Sequence, residues 1–271
     1  MDNRAIGVFD SGLGGLTAVK ELRVLLPNQD IVYFGDTGRV PYGSRSNETV
    51  IQYTKQDIRF LETFDPKLIL MACGTASSVA LRAVEEQVET PLIGVVQPAS
   101  LTASEQTKNG KVAIIGTQST IASKSYEKAL AGFDSSIETM AVACPLFVPI
   151  VENGRTCKDD PVVRTLIADY LCEIKEFGAD VLILGCTHYP LLTDAVNDYF
   201  DGAVTLINPG AEAASYVQYL LSDSRKEAPR TVKGDLRCYV SDKTQNFERL
   251  ASLFLEQELF GKVEKIDIES Y

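Results

Sequence analysis

Short apolar runs alternate along the chain with longer segments in which apolar positions recur at helical spacing. Eight of the runs are almost continuously hydrophobic, which is typical of strands buried on both faces of a parallel sheet. The predicted strands are AIGVFD (5–10), DIVYFGD (30–36), LILMAC (68–73), PLIGVV (91–96), KVAIIGT (111–117), VLILGC (181–186), AVTLIN (203–208) and LRCYVSD (236–242). Amphipathic segments between strands predict helices over residues 16–26, 48–64, 123–133 and 161–178.

This alternation predicts an α/β protein built on parallel sheets. In such sheets ligands bind outside the carboxyl ends of the strands. The residues that end the predicted strands are therefore the first candidates for a functional site. They are Asp10, Asp36, Cys73, Thr117, Cys186 and Asn208.

Two segments of the chain resemble each other. LILMACGTASSVALRAV (68–84) aligns with VLILGCTHYPLLTDAV (181–196) with one gap, and in both a cysteine is the sixth residue and a hydroxyl residue follows. AIGVFDSGLGG and KVAIIGTQST match more weakly. The similarity indicates either an internal duplication or the general likeness of strand–turn–helix units. A duplication predicts a pseudo-twofold axis that sets Cys73 and Cys186 facing each other across a cleft.

Composition narrows the class of protein. The 271 residues carry a formal charge of −11, which argues against nucleic-acid binding because phosphates require a basic surface. No apolar run reaches the ~18 residues of a membrane span, and the N-terminus lacks an export signal, so we expect a cytoplasmic protein. The six cysteines contain no C-x-x-C pair and there is one histidine, so neither disulfides nor a zinc site is expected.

Two facing thiols indicate a particular chemistry. Each cysteine is predicted at a strand-to-helix turn, where helical N–H groups favour the thiolate. A thiolate on one side of a carbon and a thiol on the other can remove and return a proton, which is racemisation. Pyridoxal phosphate would require a lysine, and none ends these strands, so no cofactor and no metal is expected. His188, two residues after Cys186, is expected to tune that thiol or to stabilise an enolate-like intermediate; the alternative is a structural histidine bonded to backbone.

Three further features supply candidate site residues. DSGLGG (10–15) lacks the G-x-G-x-x-G and G-K-[ST] patterns, so nucleotide binding is poorly supported. Its turn still offers backbone N–H groups to a carboxylate. Asp10, which precedes the turn, is placed to assist a nearby acid or base. PYGSRS (41–46) is a second turn rich in donors. Glu152 follows an apolar run and is interpreted either as an ion partner of His188 or as a solvated turn residue.

These motifs together resemble those of the glutamate racemases, within the aspartate/glutamate racemase superfamily. The resemblance covers nearly the whole chain, from GVFDSGLGGLTAVKEL through YFGDTGRVPYGSRS and LILMACGTAS to LILGCTHYPLL, in the family's order. It implies interconversion of L- and D-glutamate without a cofactor, and D-glutamate serves bacterial peptidoglycan. It also implies two similar α/β domains about a pseudo-twofold axis, a cleft between them, and a homodimer.

The resemblance also assigns roles to residues of this chain. It places the acid/base pair on Cys73 and Cys186, with Asp10, Glu152 and His188 assisting the thiols. The second domain is inserted, over residues 97–206, and the first comprises residues 1–96 and 207–271. Substrate contacts are implied for Asp10, Ser11, Tyr42, Gly43, Gly74, Thr75, Thr187 and His188.

The chain departs from the family pattern at two places. The family usually has Cys-Asn-Thr after the first cysteine, whereas this chain has Gly74, and it usually has Asp-Ser-Gly or Asp-Ser-Ala where this chain has NPG (208–210). Loss of one buried amide contact costs about 1–3 kcal/mol of binding. If the missing amide weakens substrate binding, Gly74→Asn should lower KM for glutamate; the alternatives are that the site accepts a different substrate or that a backbone N–H or a water replaces the amide. Three alternatives stay open: a racemase of aspartate or another amino acid, an amino-acid-binding protein with an impaired site, and a thiol–disulfide protein.

Overall fold

In the part of the chain that the structure describes, ten strands form two separate sheets, and every pairing among them is parallel. The computed structural model describes residues 2–228, 231–243, 247–256 and 263–271. The strands are β1 (Ile6–Asp10), β2 (Ile31–Gly35), β3 (Leu68–Met71), β4 (Leu92–Gly94), β5 (Lys111–Gly116), β6 (Glu138–Ala143), β7 (Val181–Leu184), β8 (Thr205–Ile207), β9 (Leu236–Val240) and β10 (Val263–Lys265).

The two sheets share one strand order. The smaller sheet runs β6-β5-β7-β8, and the larger contains the equivalent order β2-β1-β3-β4, extended beyond β2 by β9 and β10. β3 and β7 hold the same position in their sheets, and Cys73 and Cys186 each lie two residues beyond the end of these strands. The common order supports an internal duplication, because unrelated strand–turn–helix units would not require it.

Twelve α-helices connect the strands within the described segments, and none of these is long and apolar enough to cross a membrane. The helices are α1 (Leu16–Leu25), α2 (Asn47–Glu62), α3 (Gly74–Val79), α4 (Leu81–Val84), α5 (Val96–Gln106), α6 (Gln118–Ser123), α7 (Ser125–Phe133), α8 (Phe147–Glu152), α9 (Pro161–Phe177), α10 (Thr193–Tyr199), α11 (Pro209–Asp223) and α12 (Phe247–Leu255).

Helix α9 illustrates how local sequence determines these elements. The Asp160 carboxylate accepts hydrogen bonds from the first free N–H groups, and Pro161 occupies a position where no N–H is required. Gly178 ends the helix in the left-handed region with φ 74°. The buried residues between these ends are spaced three or four apart, so that one face packs inward. They are Val163, Ile167, Leu171 and Ile174.

The predicted α/β class with two parallel sheets is confirmed, and all eight predicted strands are present. β6 and β10 were not predicted from the sequence. β6 is an edge strand whose residues are only partly buried, and the three residues of β10 are partly buried or exposed. Neither strand therefore carries the continuous apolar run that burial on both faces produces.

The strands also divide along the chain. The larger sheet takes its strands from residues 6–94 and 236–265, and the smaller from residues 111–207. β8 thus ends one residue beyond the predicted boundary of the inserted domain. Because α11 packs against both α1 and α5, the division at 97–206 stays a prediction.

Candidate active site

The carboxyl ends of both sheets face a cavity of about 230 Å³. This volume is below the roughly 300–1,000 Å³ typical of drug-sized ligands, so the cavity suits a small molecule. Its wall is partly apolar, with Val40, Val148 and Pro149 among the lining residues. Of the residues expected at the site, all but Asp10 line this cavity. They are Ser11, Tyr42, Gly43, Cys73, Gly74, Thr75, Glu152, Cys186, Thr187 and His188.

Cys73 stands at the junction of β3 and α3. Its Sγ accepts a hydrogen bond from the N–H of Ala76 at 3.4 Å and donates to the Ser11 hydroxyl, also at 3.4 Å. Burial, together with the negative charge of Asp10, raises the pKa of Cys73 to about 12. The predicted preference for thiolate at this helix start is therefore wrong for Cys73, because desolvation outweighs the hydrogen bonds. This thiol holds its proton at neutral pH.

Cys186 has a different environment. A turn follows it, and the next helical segment is a 3₁₀-helix at Tyr189–Leu192. The expectation that Cys186 stands beside the N–H groups of an α-helix start is therefore wrong. Its Sγ instead lies 3.8 Å from Nδ1 of His188. The Thr187 hydroxyl lies 3.3 Å from the same nitrogen. The polar partner of this sulfur is therefore an imidazole and not a row of backbone N–H groups.

His188 is buried between Cys186 and a carboxylate. Its Nε2 lies 3.1 Å from Oε1 of Glu152, and the ring of Phe254 packs edge-on against the imidazole with centroids 4.9 Å apart. Burial by itself lowers the pKa of His188, but the hydrogen bonds and charges of Cys186 and Glu152 outweigh it and raise the pKa to about 10. His188 is therefore an imidazolium at neutral pH, and its ring partners are side chains, unlike those of a histidine bonded to backbone.

Glu152 is the last residue of α8. Both its main-chain carbonyl and its side-chain carboxylate make hydrogen bonds, the carboxylate with His188. Its carbonyl oxygen accepts a hydrogen bond from the Arg249 guanidinium at 2.8 Å. The carboxylate is partly exposed and lines the cavity. The structure therefore places Glu152 as the ion partner of His188, which was one of the two interpretations of this residue.

Asp10 lies beneath the cavity at the end of β1. Its Oδ2 accepts a hydrogen bond from the N–H of Gly12 at 3.0 Å, while among the described residues no hydrogen-bond partner reaches its buried Oδ1. Burial raises the pKa of Asp10, and the positive charge of His188 acts in the opposite direction. A buried carboxylate near Cys73 destabilises negative charge on that sulfur.

The Tyr42 hydroxyl is not available to a ligand in the cavity. It lies within hydrogen-bond distance of Asp57 Oδ2, at 3.0 Å, and of Asp36, in the buried interior, and its single proton is donated to one of them at a time. The Arg39 guanidinium pairs with the same two carboxylates at 2.7 and 3.2 Å and lies 4.0 Å above the ring of Tyr53. This cluster anchors the loop that begins with the cis peptide bond before Pro41. Any contact of residue 42 with a ligand is therefore made by its ring or its main chain.

The two departures from the family pattern have different structural settings. The Asn208 side chain caps α11, accepting hydrogen bonds from the N–H groups of Gly210 at 3.0 Å and Ala211 at 3.4 Å. An ideal Cβ on Gly74 would overlap the carbonyl oxygen of Gly185. The expected benefit of Gly74→Asn is therefore opposed by a steric conflict with the other half of the molecule.

Thr117 joins the site although it was not assigned a role. It ends the strand β5, and its hydroxyl lies 3.0 Å from that of Thr75, so the pair links the two halves across the cavity. Its position as a strand end was the sequence signal that marked it. Ser119 adds a second link by donating a hydrogen bond to the carbonyl of Gly43 at 2.9 Å.

Neither a disulfide nor a metal cluster is found in the described parts of the chain. All six cysteines are free thiols, including Cys73 and Cys186. No group of three or more histidine, cysteine, aspartate or glutamate side chains in the same ranges is arranged to hold a metal ion. The thiol–disulfide interpretation thus receives no support from this site.

Two thiols at equivalent strand ends of paired α/β halves, lining one cavity, can transfer protons to and from one carbon, which is the chemistry of a racemase. The chain belongs to the Asp/Glu/Hydantoin racemase family, whose model matches residues 20–217. It is 40% identical over 267 residues to the glutamate racemase of Geobacter metallireducens, covering 98% of each chain, and 42% identical over 255 residues to that of Staphylococcus carnosus, covering 94% of this chain and 95% of the relative. The glutamate racemase of Francisella tularensis, solved in complex with D-glutamate, superposes with a TM-score of 0.93 at 34% identity, covering 100% of both chains.

Proposed function

We propose that this chain interconverts L- and D-glutamate by proton transfer between the substrate Cα and two cysteines. The observation that carries the proposal is that Cys73 and Cys186 follow equivalent strands of two like-ordered sheets and line one cavity. The identity of about 40% to glutamate racemases over nearly the full chain supports glutamate as the substrate. D-Glutamate would supply peptidoglycan synthesis, as in the family.

The two sulfurs divide the acid and base roles. Cys73 keeps its proton because its pKa is raised to about 12, so it is suited to donate. The His188 imidazolium beside Cys186 stabilises negative charge on that sulfur, so Cys186 is suited to accept. In this form the Cys186 thiolate takes the proton from Cα of L-glutamate, and the Cys73 thiol returns a proton to the opposite face, which yields D-glutamate. The roles reverse for D-glutamate.

The remaining residues hold the substrate and manage charge. Ser11, Thr75 and Thr187 present hydroxyl groups at the cavity, and Gly43 and Gly74 present main-chain groups. These are the donors and acceptors that a carboxylate and an ammonium require. Glu152 acts through its hydrogen bond to His188, and Asp10 acts through the effect of its charge on Cys73. We also propose that the chain works as a homodimer in the cytoplasm and uses neither cofactor nor metal.

The test is optical. Tag-free protein, dialysed against a chelator without pyridoxal phosphate, is given pure L-glutamate or L-aspartate and the loss of ellipticity is recorded. We expect loss with glutamate, and in heavy water product that has gained deuterium at Cα. A loss confined to aspartate would favour the alternative racemase, and no loss with either would favour a binding protein.

Substitution of each thiol tests the mechanism. We expect Cys73→Ala and Cys186→Ala each to lower the rate by about a thousandfold, because general acid or base catalysis contributes about 10²–10⁴. Cys172→Ala, at an exposed thiol on α9, is the matched control and should keep full activity. Racemisation near the original rate in either site variant contradicts the two-thiol mechanism.

A further inference from the structure

Hydroxyl groups link the two halves of the molecule beside the cavity. The hydroxyls of Thr75 and Thr117 lie 3.0 Å apart, and the Ser119 hydroxyl donates a hydrogen bond to the carbonyl oxygen of Gly43 at 2.9 Å. Thr75 and Gly43 belong to the half that carries the larger sheet, whereas Thr117 and Ser119 belong to the half that carries the smaller sheet. Both hydrogen bonds therefore form only while the two halves lie close together.

The two links differ in their relation to the cavity. Thr75 and Thr117 line it, so a bound molecule competes for their hydroxyls. Ser119 does not line the cavity, and its acceptor is a main-chain oxygen. A ligand in the cavity therefore leaves the hydrogen bond of Ser119 to Gly43 in place. This link is able to hold the halves together while a substrate is bound.

The loop that receives this hydrogen bond packs directly against α6. An ideal Cβ on Gly43 would stand 2.6 Å from Cβ of Thr117, so the absence of a side chain at residue 43 permits the approach. Ser119 is the second residue of α6, and its hydroxyl also lies 3.4 Å from the carbonyl oxygen of Arg45. One side chain thus contacts main-chain oxygens within and just after the 3₁₀ turn Tyr42–Ser44, and this fixes the main chain of Gly43 at the cavity wall.

We propose that Ser119 is a positioning residue that holds the cavity closed on its substrate by fixing Gly43 against α6, an inference that rests on the proposed racemase function. Ser119 lies outside the cavity, so it acts on how tightly the substrate is held and not on proton transfer. A hydrogen bond that forms only in the closed protein favours the closed form. Because the apparent affinity rises with the fraction of closed molecules, loss of this hydroxyl weakens binding.

The test compares Ser119→Ala with the unchanged protein on L-glutamate. We expect KM to rise about two- to tenfold, the range that one net hydrogen bond supplies, while kcat changes by less than about twofold. Calorimetric titration uses racemic glutamate, whose composition turnover does not alter, and the dissociation constant should rise by the same factor. Ser119→Thr keeps the hydroxyl and should restore both values.

Ser123→Ala is the matched control on the same helix. The Ser123 hydroxyl donates to the carbonyl oxygen of Thr120 at 2.6 Å, within one half of the molecule, and Ser119 and Ser123 are both partly buried. Ser123→Ala therefore removes a hydrogen-bonding hydroxyl from α6 without removing a link between the halves. It should leave KM and the dissociation constant unchanged.

Three results would overturn the proposal. The first is an original KM in Ser119→Ala. The second is an equal rise of KM in Ser119→Ala and Ser123→Ala, because the effect would then come from the stability of α6. The third is a fall of kcat at constant KM, which would place Ser119 in the chemical step.

Failure of the proposed function gives a different result. In that case the unchanged protein does not racemise glutamate, but the titration still measures affinity because it requires no turnover. A higher dissociation constant in Ser119→Ala then supports the inference without catalysis, and an equal one overturns it. Absence of any glutamate binding by the unchanged protein overturns the function and the inference together.

Discussion

Glu152 and His188 form a hydrogen-bonded ion pair of 3.1 Å through Nε2, and the other ring nitrogen, Nδ1, lies 3.8 Å from Sγ of Cys186. The carboxylate thus acts on the sulfur only through the ring between them. Because the pKa of His188 is raised to about 10, the ring carries its positive charge throughout the physiological range. The charge of the imidazole beside the proposed base therefore depends on a carboxylate that is 36 positions from His188 in the sequence.

Glu152→Gln should lower the pKa of His188 from about 10, because the amide keeps the shape of the side chain but removes the negative charge that stabilises the imidazolium. The chain has one histidine, so a tag-free sample gives a single imidazole C2-proton signal whose shift can be followed against pH. Glu173→Gln, on the exposed side of α9, should leave the midpoint unchanged. A midpoint that stays near 10 in Glu152→Gln would show that the carboxylate does not set it.

His188 should also make the free energy of unfolding depend on pH. His188 has a pKa of about 10 in the folded chain and about 6.5 when unfolded, so the folded state binds the proton more tightly. Its contribution is fully present below pH 6.5 and is lost as pH rises to 10, at a slope of up to about 1.4 kcal/mol per pH unit.

Urea unfolding at pH 7, 8 and 9 measures this slope. His188→Asn should show a shallower decline than the original protein across this range. The raised pKa of Cys73 also destabilises the folded state above pH 9, but it does so equally in both chains. Parallel declines in the two proteins would contradict the raised pKa of His188.

Tyr42→Phe should lower the free energy of unfolding by about 2 kcal/mol, because the lost hydroxyl is hydrogen-bonded within the buried pair of Asp36 and Asp57. Chemical unfolding at pH 7 provides the measurement. Tyr219→Phe is the control, since Tyr219 is 62% exposed, and it should leave stability unchanged. Equal stability of the two variants would show that the hydroxyl does not support this cluster.

Much of the fold could be predicted because it depends on local pattern. A strand buried on both faces must be apolar along its length, and this requirement marked the six inner strands. The edge strands β4 and β8 were marked as well, because their own residues are mostly apolar. Three of these strands, β3, β5 and β7, are followed by residues that line the cavity, which is why Cys73, Thr117 and Cys186 could be marked in advance. β6 and β10 were not predicted, because strands that are partly exposed do not need an apolar residue at every position.

The sequence by itself determined where the thiols and the histidine stand relative to strand ends, since these positions follow from the strands' own composition. Only the tertiary structure decided their chemistry. Burial raises the pKa of Cys73, although the N–H groups at the start of α3 act to lower it. Glu152 and Cys186 together raise the pKa of His188, so that its imidazole is a cation. The contact of Gly74 with Gly185 likewise joins residues 111 positions apart. Desolvation, pairing of charges and close approach of backbones all depend on which distant segments come into contact. The local sequence pattern does not determine those contacts.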